Sequence, residues 1–136
     1  MSQLQTPFRY DYVGSFLRPA KLKKARRQFD KGNISYDELK KVEDEAITEL
    51  ITKIKESGYH VITDGEFRRA TWHLDFMWGL DGVEHQNTGN GVQFDAEIAI
   101  LDDTYLVGPV RAKAHPFVEY FKFLKQFEDE NTAAKD

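Results

Sequence analysis

The chain has 136 residues, of which 40% are hydrophobic and 31% charged, and its 19 basic and 23 acidic residues give a net charge of −4. This length fits one domain with a buried core, and the apolar fraction excludes a largely disordered chain. The mildly acidic balance argues against nucleic acid as a partner. Since the chain contains no cysteine, it can supply no disulfide, thiolate nucleophile or thiolate ligand for zinc.

We expect no targeting or membrane segment in these residues. Its first twelve residues lack the apolar run of a signal peptide. Apolar stretches such as residues 61–62 and 98–101 are far shorter than the roughly 20 residues that a membrane span needs. We therefore expect a soluble, cytoplasmic protein with no membrane partner.

An extended segment and two helices are predicted in the first half. Residues 12–16 are typical of a short strand that runs into a loop. Pro19 suits the first turn of a helix that ends at Gly32. Ser35 and Glu38 form the pattern of a capping box at the start of a second helix. One face of this helix collects the apolar residues Leu39, Val42, Ala46, Ile47, Leu50, Ile51 and Ile54.

The second half begins with a buried strand. Gly58 ends the second helix, and the β-branched run that follows predicts a strand over residues 59–63. A strand, helices and a second strand form the βαβ pattern of a parallel sheet. The glycine-rich residues 79–91 predict a loop, and residues 92–98 and 104–107 predict the strands of a β-hairpin.

The end of the chain predicts one more helix, which begins at His115 and Pro116. A polar tail follows, and we expect it to fray. The whole chain is thus predicted to be a single partial domain of residues 1–136. Its parts are a β-α-α-β unit (1–66), an aromatic segment with a glycine-rich loop and β-hairpin (67–110), a C-terminal helix (111–130) and a tail (131–136).

Two short segments follow predicted strands, where parallel sheets place functional residues. Gly14 allows a ligand to approach the backbone closely, and Ser15 offers donors suited to a carboxylate. Asp64 and Glu66 follow the buried strand and could bind an ammonium group or transfer protons. Two structural interpretations stay open, an ordinary Gly-Ser turn and capping of the next helix by one of the acids.

Two other clusters favour packing over chemistry. Four histidines match neither a helical i,i+4 pair nor a zinc-finger pattern, which favours packing or surface roles over a metal site: His60, His73, His85 and His115. An aromatic cluster could line a substrate pocket but is more typical of a core: Trp72, Phe76, Met77 and Trp78.

Several stretches together resemble the cobalamin-independent methionine synthases, and most of all their shorter, single-barrel members. These stretches are FRYDYVGSFLRP, the basic KKARR and especially VITDGEFRRATWHLDFMWGLDGVE, and the resemblance covers nearly the whole chain. It implies a (β/α)8 TIM barrel and methyl transfer from a methyltetrahydrofolate to homocysteine, which yields methionine. It also implies a zinc ion that activates the homocysteine thiol.

The resemblance implies four substrate-binding residues. Val13, Gly14 and Ser15 match the family's homocysteine-binding segment, which holds the amino-acid carboxylate. Glu66 matches the glutamate that binds the homocysteine amine. Arg68, Arg69 and Trp72 match residues typical of the single-barrel members, without an assigned role.

The chain departs from the family in its length and its zinc ligands. The resemblance implies His, Cys, Glu and Cys ligands, and a histidine proton donor, that lie well after the second barrel strand. This chain has no cysteine, and a barrel takes at least about 200 residues. We therefore expect an α/β fold that is the first third of a TIM barrel: extended strand, two helices, parallel strand, β-hairpin excursion and C-terminal helix.

Such a chain is expected to supply no catalytic residue and no metal ligand, so that it binds homocysteine weakly and catalyses no turnover by itself. Two alternatives stay open. The chain could be an inactive α/β fragment that forms a homo-oligomer through exposed strand edges. It could also belong to a related methyltransferase that acts on another thiol.

Overall fold

The computed structural model describes residues 12–71, 73–94 and 97–135, and within them it leaves the side chains of residues 87–102 undescribed. The chain divides into two compact units, and the single partial domain of residues 1–136 stays a prediction. The first unit comprises the residues up to Arg69 and those from Tyr120 onward, and the second comprises Ala70–Glu119. The second unit is distinct because its two long strands hydrogen-bond chiefly to each other.

The first predicted helix is confirmed as α1, Ala20–Asp30. Pro19, with φ of −59°, immediately precedes it, and Gly32 follows its end with φ of +71°. Leu22 and Ala25 are its buried residues, one turn apart, so α1 packs through one narrow face.

The second predicted helix is confirmed as α2, Tyr36–Glu56. Its capping box forms as expected: Ser35 Oγ accepts the backbone N–H of Glu38 at 3.2 Å, and Glu38 Oε2 accepts that of Ser35 at 2.7 Å. Gly58, with φ of +82°, takes the left-handed conformation that ends helices. Local signals therefore account for both ends of α2.

A two-stranded parallel sheet follows α2. β1 (Val61–Ile62) lies within the strand predicted over residues 59–63 and pairs with β4 (Ala133–Ala134). The predicted fraying of the tail is wrong for β4 and its flanks. The N–H groups of Ala133 and Lys135 donate to the carbonyl oxygens of His60 (2.9 Å) and Ile62 (2.8 Å). These bonds hold the tail against β1.

The strand expected over residues 12–16 is wrong, because these residues form no strand in the described structure. One backbone hydrogen bond, from the N–H of Phe16 to the carbonyl oxygen of Gly65, and a side-chain bond from the Tyr12 hydroxyl to the carbonyl oxygen of Val61 attach the segment to the sheet end. The segment is thus an extended loop beside β1, since a strand needs a continuous ladder.

The core of the first unit lies between α1, α2, β1 and the second half of α4 (Pro116–Lys125). Its buried members are Leu22, Ala46, Ile47, Ile51, Ile54, Ile62, Phe67 and Leu124. The last helix is thus confirmed at its predicted start but is shorter than the predicted 111–130, since Arg111 still belongs to a strand. None of the helices in the described part of the chain has the length and hydrophobicity to cross a membrane.

The second unit contains the predicted hairpin with a different extent. After α3 (Leu74–Trp78), β2 (Asp81–Phe94) pairs antiparallel with β3 (Glu97–Arg111). The prediction of a loop over residues 79–91 is wrong, because most of them belong to β2. The register shifts after Asp81 and again after Asn87, and such irregularities accommodate the glycines and asparagines that suggested a loop.

The hairpin turn also differs from the expected one. Asp102 and Asp103, which separate the two predicted strands, lie within β3 opposite Asn87 and Gln86. The connection between Phe94 and Glu97 lies outside the described residues.

The helices and the two small sheets of the described residues confirm the predicted α/β fold class.

Candidate functional site

A tight turn of residues 64–69 follows β1 and contains Glu66. Asp64 is 2% exposed, and its Oδ1 accepts the backbone N–H of Glu66 at 2.8 Å. Gly65 has φ of +67° and Glu66 has φ of +58°, which makes Glu66 the one non-glycine residue with positive φ in the described part of the chain. Such a conformation costs about 1 kcal/mol or more and persists only where neighbouring contacts impose it.

Asp64 is therefore a structural residue of the turn. Its buried carboxylate accepts the Glu66 N–H inside the turn. The capping interpretation is wrong for Asp64, because the next helix, α3, begins only at Leu74. Glu66 is partly exposed instead. Of the two acids that the sequence singles out, Glu66 is the one accessible to a ligand.

The loop of residues 13–15 lies beside this turn. The N–H of Phe16 donates to the carbonyl oxygen of Gly65 at 3.1 Å. Val13 is 93% exposed, and Gly14 has φ of +87° with no atom within 4 Å of an added Cβ. The loop therefore leaves open backbone close to Glu66.

Both segments contribute to one cleft of about 210 Å³. Val13, Gly14 and Glu66 line it, whereas Ser15 is exposed and is not among its lining residues. The other lining residues are Tyr12, Thr63, Arg69 and Lys135. The volume is below the about 300 Å³ at which sites for drug-sized ligands begin, so the cleft suits a small metabolite.

The cleft carries charges of both signs. Glu66 supplies a carboxylate, and Arg69 and Lys135 supply cations. Lys135 Nζ also donates to the carbonyl oxygen of Tyr12 at 3.2 Å, which places the end of β4 beside the first loop. A small molecule with one positive and one negative end matches such a lining.

Sequence analysis missed Lys135 and left Arg69 without a role. Lys135 enters the cleft because β4 pairs with β1, and no local signal in a polar tail predicts that pairing. Arg69 follows Glu66 closely in the chain, so a position near the turn could be predicted from the sequence. Its presence in the cleft depends on the conformation of the turn.

Two arginines bind the backbone of the turn. Arg18 Nη2 donates to the carbonyl oxygens of Glu66 and Arg69, each at 2.8 Å. Arg26 donates to the carbonyl oxygen of Phe67 and, at 3.1 Å, to that of Arg69. Three carbonyl groups of the turn, those of Glu66, Phe67 and Arg69, are thus bound by guanidinium groups.

A buried carboxylate on α2 binds Arg26 and a third arginine, Arg68. Glu43, 4% exposed, accepts Arg26 at 3.1 Å and Arg68 at 3.2 Å. Burial raises the pKa of Glu43, and the two guanidinium groups act against this rise. Sequence analysis missed Glu43, although it lies four residues from both Leu39 and Ile47 on the apolar face of α2. A carboxylate at such a position indicates a buried partner.

Arg68, which also lacked a role, belongs to this cluster. It pairs with Asp44 as well as Glu43, and its guanidinium lies 5.1 Å and 5.0 Å from the ring centres of Tyr120 and Phe123. Burial acts to raise the pKa of Asp44, but hydrogen bonds from Arg68 and Lys40 lower it overall. Arg68 is therefore a core residue and not a ligand contact.

The described residues of the aromatic cluster and three of the four histidines belong to the second unit. His60 belongs to the first, where its Nδ1 lies 3.0 Å from the carbonyl oxygen of Asn131. Trp78 stacks on His85 with 3.8 Å between ring centres and donates to Thr104 Oγ1 at 3.0 Å, while His115 Nε2 contacts the carbonyl oxygen of Phe76 at 2.9 Å. These contacts pack the second unit. Trp72 lies outside the described residues. Within the described residues, no three His, Asp or Glu side chains are placed to hold a metal ion.

Comparison with known proteins places the chain among longer relatives. No family model matches it. Two Bacillus subtilis (strain 168) proteins, YxjG and YxjH, both named as uncharacterized, are 38% and 39% identical over 132 and 124 residues, which are 97% and 91% of this chain. The chain spans about a third of these relatives, 35% of YxjG and 33% of YxjH.

Two solved structures are also similar. A candidate vitamin-B12-independent methionine synthase from Listeria monocytogenes is 39% identical, with a TM-score of 0.75 over 97% of this chain and 36% of the other. A B12-independent methionine synthase from Shewanella sp. W3-18-1, in complex with selenomethionine, is 25% identical, with a TM-score of 0.52 over 69% of this chain and 27% of the other. The chain is thus similar, over most of its length, to about a third of such proteins.

Proposed function

We propose that this chain is the homocysteine-binding part of a cobalamin-independent methionine synthase of the single-barrel kind, built as the first third of a (β/α)8 barrel. The sequence motifs and the 39% identity to the Listeria protein support this assignment. The parallel pairing of β1 with β4 around helical connections is the arrangement expected of adjacent barrel strands.

The cleft between the loop of residues 13–15 and the Glu66 turn is the observation that carries the proposal. Homocysteine has an ammonium group and a carboxylate on one carbon atom. Glu66 would accept the ammonium group, and backbone N–H groups near Gly14 would donate to the carboxylate. Arg69 and Lys135 would add positive potential that attracts the carboxylate to the cleft. The two loops would thus bind and orient the amino acid by its charged ends.

The zinc ion and the methyltetrahydrofolate are implied by the resemblance alone. In the family, zinc activates the homocysteine thiol for attack on the methyl group. The chain has no cysteine, and its described residues include no group of three fitted to a metal. The residues described therefore do not fit the zinc ion, and the proposal assigns amino-acid binding to this chain and no step through the metal.

Titration of the chain with L-homocysteine, followed by calorimetry or by NMR, tests the proposal. We expect Glu66→Ala to weaken binding at least about tenfold, because a charge-assisted hydrogen bond contributes about 1.5–3 kcal/mol. Glu56→Ala, which removes an exposed acid at the end of α2, is the matched control and should bind normally.

Two outcomes would count against the proposal. Equal affinity of the unaltered chain and Glu66→Ala for L-homocysteine would show that Glu66 does not bind the amino acid. Undiminished binding of the methyl ester of homocysteine would remove the role assigned to the carboxylate. Preferential binding of a different thiol would favour a related methyltransferase.

Exposed apolar residues support a second candidate, self-association of the chain. Leu17 is 94% exposed and Val13 is 93% exposed, and exposed apolar side chains are common at interfaces. A homo-oligomer would bury them. Light scattering over a range of concentrations tests this candidate: the apparent mass should rise with concentration and fall in Leu17→Ser. A monomer at every concentration would contradict it.

A further inference from the structure

The conformation of Glu66 depends on contacts outside the cleft. Its φ of +58° is unfavourable for a residue with a side chain, and it follows Gly65, also at positive φ. Within the turn, the N–H of Phe67 donates to the carbonyl oxygen of Asp64 at 3.3 Å, and the N–H of Arg69 donates to that of Glu66 at 3.1 Å. The Glu66 N–H also donates to Asp64 Oδ1 at 2.8 Å, so three hydrogen bonds within the turn act on two consecutive left-handed residues.

The guanidinium groups of Arg18 and Arg26 supply the stronger constraint. Together they make four hydrogen bonds to three carbonyl groups of the turn, those of Glu66, Phe67 and Arg69. Bonds from a charged donor are about twice as strong as bonds between neutral groups. Arg18 bridges the carbonyl groups of Glu66 and Arg69, which fixes these two residues of the turn relative to each other.

One of the two arginines, Arg26, is held by α1 and α2. Arg26 belongs to α1, and its Nη2 donates to the buried Glu43 of α2 at 3.1 Å. Glu43 also binds Arg68, inside the turn, at 3.2 Å. The turn is therefore connected through charged groups to both helices. Neither Arg18 nor Arg26 is among the residues that line the cleft.

We propose that Arg18 and Arg26 are positioning residues: they hold the backbone of the Glu66 turn so that the Glu66 carboxylate is set in the cleft before the ligand arrives. The inference rests on the proposed function for the identity of the ligand, L-homocysteine. It deepens that function by assigning the geometry of the amine-binding carboxylate to residues that do not touch the amino acid.

A double-mutant cycle separates positioning from general destabilisation. We expect Arg18→Ala to weaken homocysteine binding about tenfold, and Arg18→Lys to recover part of the loss because an ammonium group can reach one carbonyl oxygen. In a Glu66→Ala background, Arg18→Ala should cause little further loss, because the group that Arg18 positions is already gone. Arg27→Ala, on the exposed side of α1, is the matched control and should bind normally.

Hydrogen exchange of the backbone amides gives a readout without a ligand. Arg18→Ala should speed exchange at Glu66, Phe67 and Arg69 at least about tenfold, while exchange in the middle of α2 stays unchanged. Arg18→Lys serves for both measurements if the alanine variant does not fold.

Failure of the inference is distinguishable from failure of the proposed function. Loss of binding in Glu66→Ala with full binding and unchanged exchange in Arg18→Ala would overturn the inference alone. Equal losses from Arg18→Ala with and without Glu66 would also overturn it. Absence of homocysteine binding by the unaltered chain would overturn the proposed function. Hydrogen exchange would still test Arg18 in that case. Faster exchange of the turn amides in Arg18→Ala would support positioning by Arg18, and unchanged exchange would contradict it.

Discussion

The N–H of Phe16 donates to the carbonyl oxygen of Gly65 at 3.1 Å. This bond joins the loop of residues 13–15 to the Glu66 turn, although 49 positions separate the two residues in the chain. The two halves of the proposed binding site therefore share a direct backbone contact. Changes at the contact should affect both folding and ligand binding.

Gly65→Ala should be strongly destabilising. An added Cβ would lie 2.5 Å from Leu50 Cδ2 and 3.3 Å from Phe16 Cβ, and φ is +67°. The left-handed backbone costs about 1 kcal/mol and overpacking typically about 1–3 kcal/mol more, so we expect a loss of about 2–4 kcal/mol in the free energy of unfolding. Urea unfolding measures it.

Gly58→Ala is the matched control for that change. Gly58 has φ of +82°, but no atom lies within 4 Å of the added Cβ. Its cost should therefore stay near the about 1 kcal/mol of the backbone conformation alone. Equal losses in the two variants would show that contact with Leu50 does not restrict Gly65.

Arg68→Met should destabilise the first unit by about 3 kcal/mol. The substitution keeps apolar volume between Tyr120 and Phe123 but removes the charge that pairs with the buried Glu43. Breaking a buried ion pair on one side is costly because it leaves the other charge with less compensation. Urea unfolding is the measurement. Lys21→Ala breaks the exposed pair with Glu45 and should leave stability nearly unchanged; a similar loss in both variants would contradict the argument.

Acid should loosen the attachment of β4. The Lys55 ammonium and the N–H of Asn131 lower the pKa of Asp129 to about 2 from the ordinary value of 3.8. Because the folded state has the lower pKa, this stabilisation is present above about pH 4 and is lost as pH falls toward 2. NMR titration should show weaker protection of the Ala133 and Lys135 amides in that window, where protection is the intrinsic exchange rate divided by the measured rate at the same pH. Asp129→Asn should remove this part of the pH dependence, and an unchanged profile would contradict it.

Ser35→Ala should cost about 1 kcal/mol of stability, since it removes the side-chain oxygen that accepts the Glu38 N–H at the start of α2. Ser35→Asp should retain most of the stability, because a carboxylate accepts the same bond and suits the positive end of a helix. Thermal unfolding of the three proteins measures the difference. A loss in Ser35→Asp equal to that in Ser35→Ala would show that the cap is not the cause.

The elements governed by neighbouring residues were predictable. The limits of α1 and α2 follow from Pro19, Ser35 and Gly58, since capping and left-handed glycine act within a few residues. The existence of the hairpin was predictable for the same reason, but its turn was not. Asp102 and Asp103 have turn-forming side chains, and only the pairing of whole strands places them within β3.

The candidate site was predictable in part. Gly14 and Glu66 were readable from local chemistry and from the family motifs, and both line the cleft. Lys135 was not, because it reaches the cleft through the pairing of β4 with β1. Arg18 and Arg26 were not, because the sequence does not state which carbonyl groups their side chains meet.

The sequence by itself determined α1 and α2, their ends and the chemical character of the two loops, since these depend on contacts between residues a few positions apart. Only the tertiary structure decided the strand partner of β1, the path of the tail and the arginine contacts of the Glu66 turn. The reason is that pairing and burial depend on groups brought together from distant positions, and many such combinations are compatible with the same local pattern.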